Sequence, residues 1–159
     1  MRHMWVAAFA VSIALAACGE KNPVSPLRSA ELRRAPLSIT VDGVDVVLTS
    51  YLWRDFQPTS PPDGKGLAVS VHVGITDGSP IPSTITADAV WVVYGGQVWA
   101  ASLEEVSLAS PMPSYYEAVA RDGPKWGPAV AVDVIARVHD SKGATWLLRA
   151  ASQTINRTD

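Results

Sequence analysis

The chain has 159 residues, of which 48% are hydrophobic and 18% are charged, and its formal net charge is −2 at pH 7. This composition is too apolar for a disordered protein, and the length suits one domain with a packed core. The small net charge argues against a nucleic acid partner, because nucleic acid recognition calls for basic patches.

The amino-terminal residues have the pattern of an export signal. Arg2 gives a basic start, and the apolar run from Met4 to Ala17 covers 14 residues. That run is shorter than the roughly 20 residues a membrane-spanning helix needs. Cys18 follows directly and is the single cysteine of the chain, so it has no disulfide partner within it. A secretory signal with a coincidental cysteine is the alternative interpretation.

The sequence Leu15-Ala16-Ala17-Cys18 resembles the lipobox of bacterial lipoproteins. The resemblance implies that residues 1–17 are a signal peptide that is removed, and that Cys18 carries covalent lipid. Several acyl chains hold a protein to a membrane almost permanently. Gly19 is not the aspartate that marks inner-membrane lipoproteins in enteric bacteria. The resemblance therefore implies a lipid-anchored protein of the bacterial cell envelope, at the outer membrane and facing the periplasm or the cell surface.

Residues 18–36 are predicted to be the lipidated cysteine and a flexible tether. The segment contains Pro23, Pro26 and Pro36, together with several charges and no sustained apolar period. One helical turn is conceivable between residues 28 and 34, but the sequence offers no cap or apolar face for it.

From residue 37 onward the sequence predicts seven or eight strands. Residues 67–75 alternate most clearly, with Val69, Val71 and Val73 on a buried side and Ser70 and His72 on the outer side. The same pattern predicts burial at two later positions, Val132 and Val134. Asp42-Gly43 and Gly95-Gly96 predict tight hairpin turns.

Short strands with turns at close spacing predict an all-β domain, an antiparallel sandwich or barrel over residues 37–156 with a tail at 157–159. The pattern resembles the immunoglobulin-like sandwiches of exported bacterial lipoproteins. The likeness lies in an aromatic strand at Trp91 and in a hairpin from Val130 to Ile155 that turns through Asp140 and Gly143. It concerns the fold and implies no activity.

The sequence gives little indication of chemistry. His72 and His139 lie apart and no cysteine accompanies them, so the pattern of a zinc site is missing. The aspartates of Asp42-Gly43, Asp77-Gly78 and Asp140-Ser141 are explained by turn chemistry. Motifs for a nucleophile elbow or a phosphate loop are missing as well. We therefore predict a protein that is not an enzyme and uses neither a metal nor a cofactor.

Aromatic residues give the candidate surface. If Gly95-Gly96 is a two-residue turn, Trp91 lies on one face of the hairpin, whereas Val92, Tyr94 and Trp99 lie on the other. We expect Trp91 to face the core and the other three to lie on the outer face. They are then either covered by a loop or the tether, or form a binding surface.

Two loops extend this surface. If every connection reverses the chain, residues 53–64, the Gly95-Gly96 turn and residues 121–128 share one end with the start of the first strand. That arrangement makes Trp53, Phe56 and Trp126 neighbours. The predicted binding surface therefore consists of five aromatic residues: Trp53, Phe56, Tyr94, Trp99 and Trp126. Plain packing, with Trp126 closing the open end of the core, is the other interpretation.

Together these observations predict a non-catalytic binding or structural module, held to the membrane through lipid at Cys18. Two roles stay open. One is recognition of glycan or peptidoglycan by aromatic stacking, and the other is an accessory subunit that docks on an envelope protein complex.

Overall fold

A computed structural model of the chain describes residues 27–106 and 113–159. The predicted signal peptide and Cys18 lie outside the described residues. Within these ranges the structure has one short helix and nine strands: α1 (Ser29–Leu32), β1 (Ser38–Val41), β2 (Val44–Asp55), β3 (Leu67–Ile75), β4 (Thr86–Tyr94), β5 (Gln97–Ser102), β6 (Glu104–Glu105), β7 (Tyr115–Gly123), β8 (Ala131–His139) and β9 (Thr145–Thr158). The sequence did not predict β6, which is only two residues long.

The strands form two sheets that face each other. The first sheet has the order β2-β3-β7-β6, with β1 paired to β2, and the second has the order β9-β8-β4-β5. This order is that of an immunoglobulin sandwich, in which strands A, B, E and D face strands G, F and C, here with one additional strand after C. The predicted all-β sandwich is therefore confirmed.

The last strand, β9, belongs to both sheets. Residues from Thr145 to Thr154 pair antiparallel with β8, and residues from Ile155 to Thr158 then pair in parallel with the end of β2. Ser152, with a positive φ of 54°, lies at a register shift within the pairing with β8, and the change of partner follows between Thr154 and Ile155. The two sheets are thus hydrogen-bonded to each other along one edge. The predicted tail at 157–159 is wrong, because β9 continues to Thr158.

The predicted strand faces are confirmed for β3 and β8. Five valines predicted to be buried are each at most 2% exposed: Val69, Val71, Val73, Val132 and Val134. Asp42 and Gly43 both have positive φ, as the predicted hairpin turn requires. The register across Gly95-Gly96 is also the predicted one, with Trp91 opposite Ala100 and Val92 opposite Trp99.

The predicted orientation of the β4–β5 hairpin is wrong. Val92 is fully buried in the core between the sheets, and Trp99 packs against that same core. Trp91 is 1% exposed, but it belongs to a second apolar cluster on the outer face of β4, together with Leu32 and Ala35. The strand is therefore buried on both faces, and alternation in the sequence could not indicate which face the tryptophan occupies.

Residues 27–36 form the cover over that outer face. Leu32 of α1 is fully buried, and Arg33 Nε lies 2.9 Å from an Asp133 carboxylate oxygen. The Arg149 amide donates to the Pro36 carbonyl at 2.8 Å. These residues belong to the folded domain rather than to a flexible tether. The segment has little intrinsic tendency to form a helix, and the burial of Leu32 against Trp91 compensates for this.

Candidate functional site

Arg54 ties together two loops at one end of the sandwich, which we call the loop end. Arg54 is the last of the alternating β2 residues whose side chains point into the core, and it is 4% exposed. The guanidinium donates to four backbone carbonyls, those of Asp63, Lys65 at 2.9 Å, Lys125 at 3.2 Å and Gly127 at 2.8 Å. The first two belong to the loop after β2 and the last two to the loop after β7. The predicted meeting of these loops is therefore confirmed.

An ion pair joins the same loops at the surface. Lys125 Nζ lies 2.6 Å from a carboxylate oxygen of Asp63. The hydrogen bond from Lys125 lowers the pKa of Asp63 below its usual value. Exposed pairs of this kind contribute little to stability, so Arg54 is the stronger connection.

Most of the predicted aromatic residues at the loop end pack within the structure. Trp126 is half-buried against the core, and its ring lies 5.6 Å from that of Tyr94, which is 36% exposed. Phe56 has the guanidinium of Arg54 at 5.0 Å and that of Arg157 at 4.1 Å from its ring centre. Trp126 thus closes the end of the core, and Tyr94 is the aromatic side chain that it leaves accessible.

The sequence predicts that the first strand starts at the loop end, and this prediction is wrong. Ser38 pairs with Val47, near the beginning of the long strand β2, whereas the loop end follows Asp55. The four residues of β1 accompany only the first part of β2, since the preceding segment has crossed over the second sheet.

Trp53 lies on the outer face of the first sheet. Its ring is stacked with that of Tyr51 at 5.6 Å between ring centres and 28° between planes. The guanidinium of Arg121, from β7, lies 5.5 Å from the centre of the Trp53 ring. Tyr51 is 46% exposed. The sequence alone does not distinguish Tyr51 or Arg121 as site residues, although the alternation of β2 places residues 51 and 53 on one face.

These residues belong to a larger surface, which we call the open sheet face. It consists of outward side chains of three adjacent strands, among them Tyr51, Trp53, Ala68, Ser70, His72, Tyr115, Glu117, Val119 and Arg121. His72 and Tyr115 have their rings 4.6 Å apart. The surface therefore combines aromatic rings with hydroxyl, carboxylate and guanidinium groups.

Ser70, His72 and Glu117 form a polar network in the middle of this face. The Ser70 hydroxyl donates to Glu117 Oε1 at 2.7 Å and lies 3.1 Å from His72 Nε2. The same histidine nitrogen is 3.4 Å from Glu117 Oε1. In a hydrolytic triad the carboxylate orients the histidine from its other nitrogen, and the serine donates to the histidine. The network is therefore arranged to hold its side chains in place rather than to activate Ser70.

A shallow depression of about 120 Å³ lies where the open sheet face meets the loop after β2. It is lined by Trp53, Asp55, Lys65, Gly66, Ala68, Arg121 and Asp122. The Asp55 carboxylate accepts hydrogen bonds from Lys65 Nζ at 2.8 Å and from the Gln57 amide at 2.9 Å. The hydrogen bond from Lys65 is the main reason that the pKa of Asp55 is lowered. The depression thus offers charged groups of both signs beside an indole ring.

Residues 27–106 and 113–159 contain no group of three or more histidine, cysteine, aspartate or glutamate side chains placed to hold a metal ion. In the same part of the chain, no helix has the length and apolarity needed to cross a membrane. Comparison with protein families, with curated proteins and with solved structures gives no match.

Proposed function

We propose that the protein is a non-catalytic binding module of the bacterial cell envelope, held at the outer membrane by lipid on Cys18. The lipobox-like sequence from Leu15 to Cys18 supports the location. Binding is supported by a sandwich that presents an aromatic and polar surface which none of the described residues covers.

The open sheet face is the observation that carries this proposal. The outer face of the second sheet is covered by the chain itself, through Leu32 and Ala35. The outer face of the first sheet carries Tyr51 at 46% exposure, stacked on Trp53 beneath Arg121. A partner is the simplest reason for a sheet to display stacked aromatic rings to solvent.

The anchor is tested by mass spectrometry of the mature protein and by labelling with a radioactive fatty acid. We expect the mature amino terminus to be Cys18 with the added mass of its acyl chains. Cys18→Ser should take up no label and should leave uncleaved precursor, because the acylated atom is the cysteine sulfur. Ser25→Ala, in the same segment, is the matched control and should be labelled like the wild type. An unmodified amino terminus at any other residue would overturn the anchor.

A further inference from the structure

We infer that the open sheet face binds the sugar strands of peptidoglycan, an inference that rests on the envelope location proposed above. It names the ligand class for the surface that includes Tyr51, Trp53 and Arg121.

The arrangement of the strands gives this face its shape. The central strand, β3, contributes the small outward side chains Ala68 and Ser70. On one side Trp53 pairs with Ala68 and Tyr51 pairs with Ser70. On the other side β7 contributes Arg121, next to the shallow depression. The small side chains of Ala68 and Ser70, each 6% exposed, therefore lie between Tyr51 and Trp53 on one side and Val119 and Arg121 on the other.

A pyranose ring fits this chemistry. It has an apolar face of C–H groups and a rim of hydroxyl groups, so it needs a flat aromatic surface with hydrogen-bonding groups beside it. Tyr51, supported from behind by Trp53, offers the flat surface. Glu117, whose Oε1 accepts a hydrogen bond of 2.7 Å from the buried Ser70, offers a carboxylate held in place.

Peptidoglycan is favoured over a neutral sugar polymer by Arg121. Alternate sugars of the peptidoglycan strand carry a lactyl group with a carboxyl function, from which the peptide stems extend. The guanidinium of Arg121 is exposed beside Trp53 and has the geometry to bind carboxylate or carbonyl oxygens. Peptidoglycan is a cell-envelope polymer that combines pyranose rings with such groups.

A protein partner fits the surface less well. Among the described residues, the large hydrophobic side chains that are exposed are Leu37, Tyr51 and Tyr94. Tyr94 lies at the loop end against Trp126, and Leu37 lies just before β1. These three side chains are scattered, whereas protein docking sites usually form a contiguous apolar patch.

The first test uses the full protein in detergent, with purified peptidoglycan sacculi as the probe in a sedimentation assay. We expect the wild type to sediment with the sacculi, and Tyr51→Ser to weaken binding roughly tenfold because it removes the stacking surface. Tyr94→Ser is the matched control, since it removes an exposed tyrosine at the loop end. It should bind like the wild type. Thermal unfolding of each variant verifies that the fold is intact.

A second probe, chitohexaose, separates the roles of the side chains. This oligosaccharide has the sugar backbone without lactyl groups, so Arg121→Gln should weaken binding to sacculi more than binding to chitohexaose. Binding of chitohexaose should change the tryptophan emission, and Trp53→Phe should reduce that change while the protein still sediments with sacculi. Arg121 is exposed, so its replacement should leave the fold intact. If Tyr51→Ser proves unstable, the binding of Arg121→Gln to sacculi and to chitohexaose tests the inference instead.

Two results would overturn the inference. One is a wild type that binds neither probe, and the other is equal loss of binding in Tyr51→Ser and Tyr94→Ser. Either result leaves acylation of Cys18, and with it the proposed anchor, unaffected. An unacylated Cys18 would remove the anchor whatever the sugar assays show.

Discussion

Arg54 carries a positive charge into the interior of the loop end. Its partners there are carbonyl oxygens of two loops, at distances that include 2.8 Å to Gly127 and 2.9 Å to Lys65. Burying a guanidinium is costly, and the planar fork of donors offsets that cost because it satisfies several acceptors at once. Because the acceptors are backbone carbonyls, these hydrogen bonds do not require the loss of side-chain conformational entropy at the acceptor. One residue therefore fixes the separation of two loops that are far apart in the sequence.

Replacement of Arg54 should be strongly destabilising. Arg54→Met keeps much of the apolar volume but leaves several carbonyls without a donor, and we expect the free energy of unfolding to fall by about 2–4 kcal/mol. Urea unfolding followed by far-ultraviolet circular dichroism measures the change. Arg34→Met, at an exposed position, is the control and should unfold like the wild type. Equal stability of the two variants would contradict the role given to Arg54.

Asp88 should make the free energy of unfolding depend on pH in the acidic range. Its partial burial acts to raise the carboxyl pKa, but the hydrogen bonds of Arg137 and the close approach of His139 together outweigh that effect. Arg137 donates to both carboxylate oxygens, at 2.7 and 2.8 Å. The pKa of Asp88 is therefore lower in the folded chain than in the unfolded chain. Its contribution to stability is complete above the unfolded pKa and is lost as the pH falls through the folded one.

We expect the free energy of unfolding to decrease as the pH falls below about 4, and Asp88→Asn to make that decrease less steep. Arg137→Gln should act in the same direction, because it returns the pKa of Asp88 towards its ordinary value. Urea unfolding at a series of pH values measures both slopes. A slope in Asp88→Asn that equals the wild-type slope would show that Asp88 does not contribute.

At the scale of the elements, the sequence predicted strands more reliably than it predicted faces. Alternation and turn residues located β3 and the Asp42-Gly43 hairpin, because both depend on local geometry. The orientation of β4 depends on what packs against it, and residues 89–93 are apolar throughout. The sequence allows one helical turn between residues 28 and 34 but favours a tether over α1, for a related reason. The four residues of α1 are stabilised by burial of Leu32 rather than by intrinsic propensity.

Removal of the α1 contact should expose Trp91. Leu32→Ser replaces a fully buried side chain, and we expect a loss of about 2–4 kcal/mol in the free energy of unfolding. Acrylamide should quench the tryptophan emission of this variant more strongly than that of the wild type. Leu37→Ser is the matched control, because Leu37 is 55% exposed. Unchanged stability and quenching in Leu32→Ser would show that residues 27–36 do not cover the outer face of the second sheet.

At the scale of the whole molecule, reversal of the chain at each connection predicted which loops share an end. It could not predict the open sheet face, because that surface depends on the registers of three strands. Trp53 was expected among the loops, yet its contacts with Tyr51 and Arg121 place it on the sheet. The sequence indicated aromatic residues as candidates, and the pairing of β2 with β3 determined which of them lie beside polar partners.

The shared strand β9 determines the order in which this domain can be completed. The end of β2, from Leu52 to Asp55, has its parallel partners at Ile155 to Thr158, about a hundred residues later in the chain. Closing so long a loop is entropically costly, and such non-local pairing slows folding. During synthesis, the end of β2 therefore keeps an unpaired edge until the last strand emerges. Over that interval the chain is most exposed to proteases and to pairing with other unfinished chains.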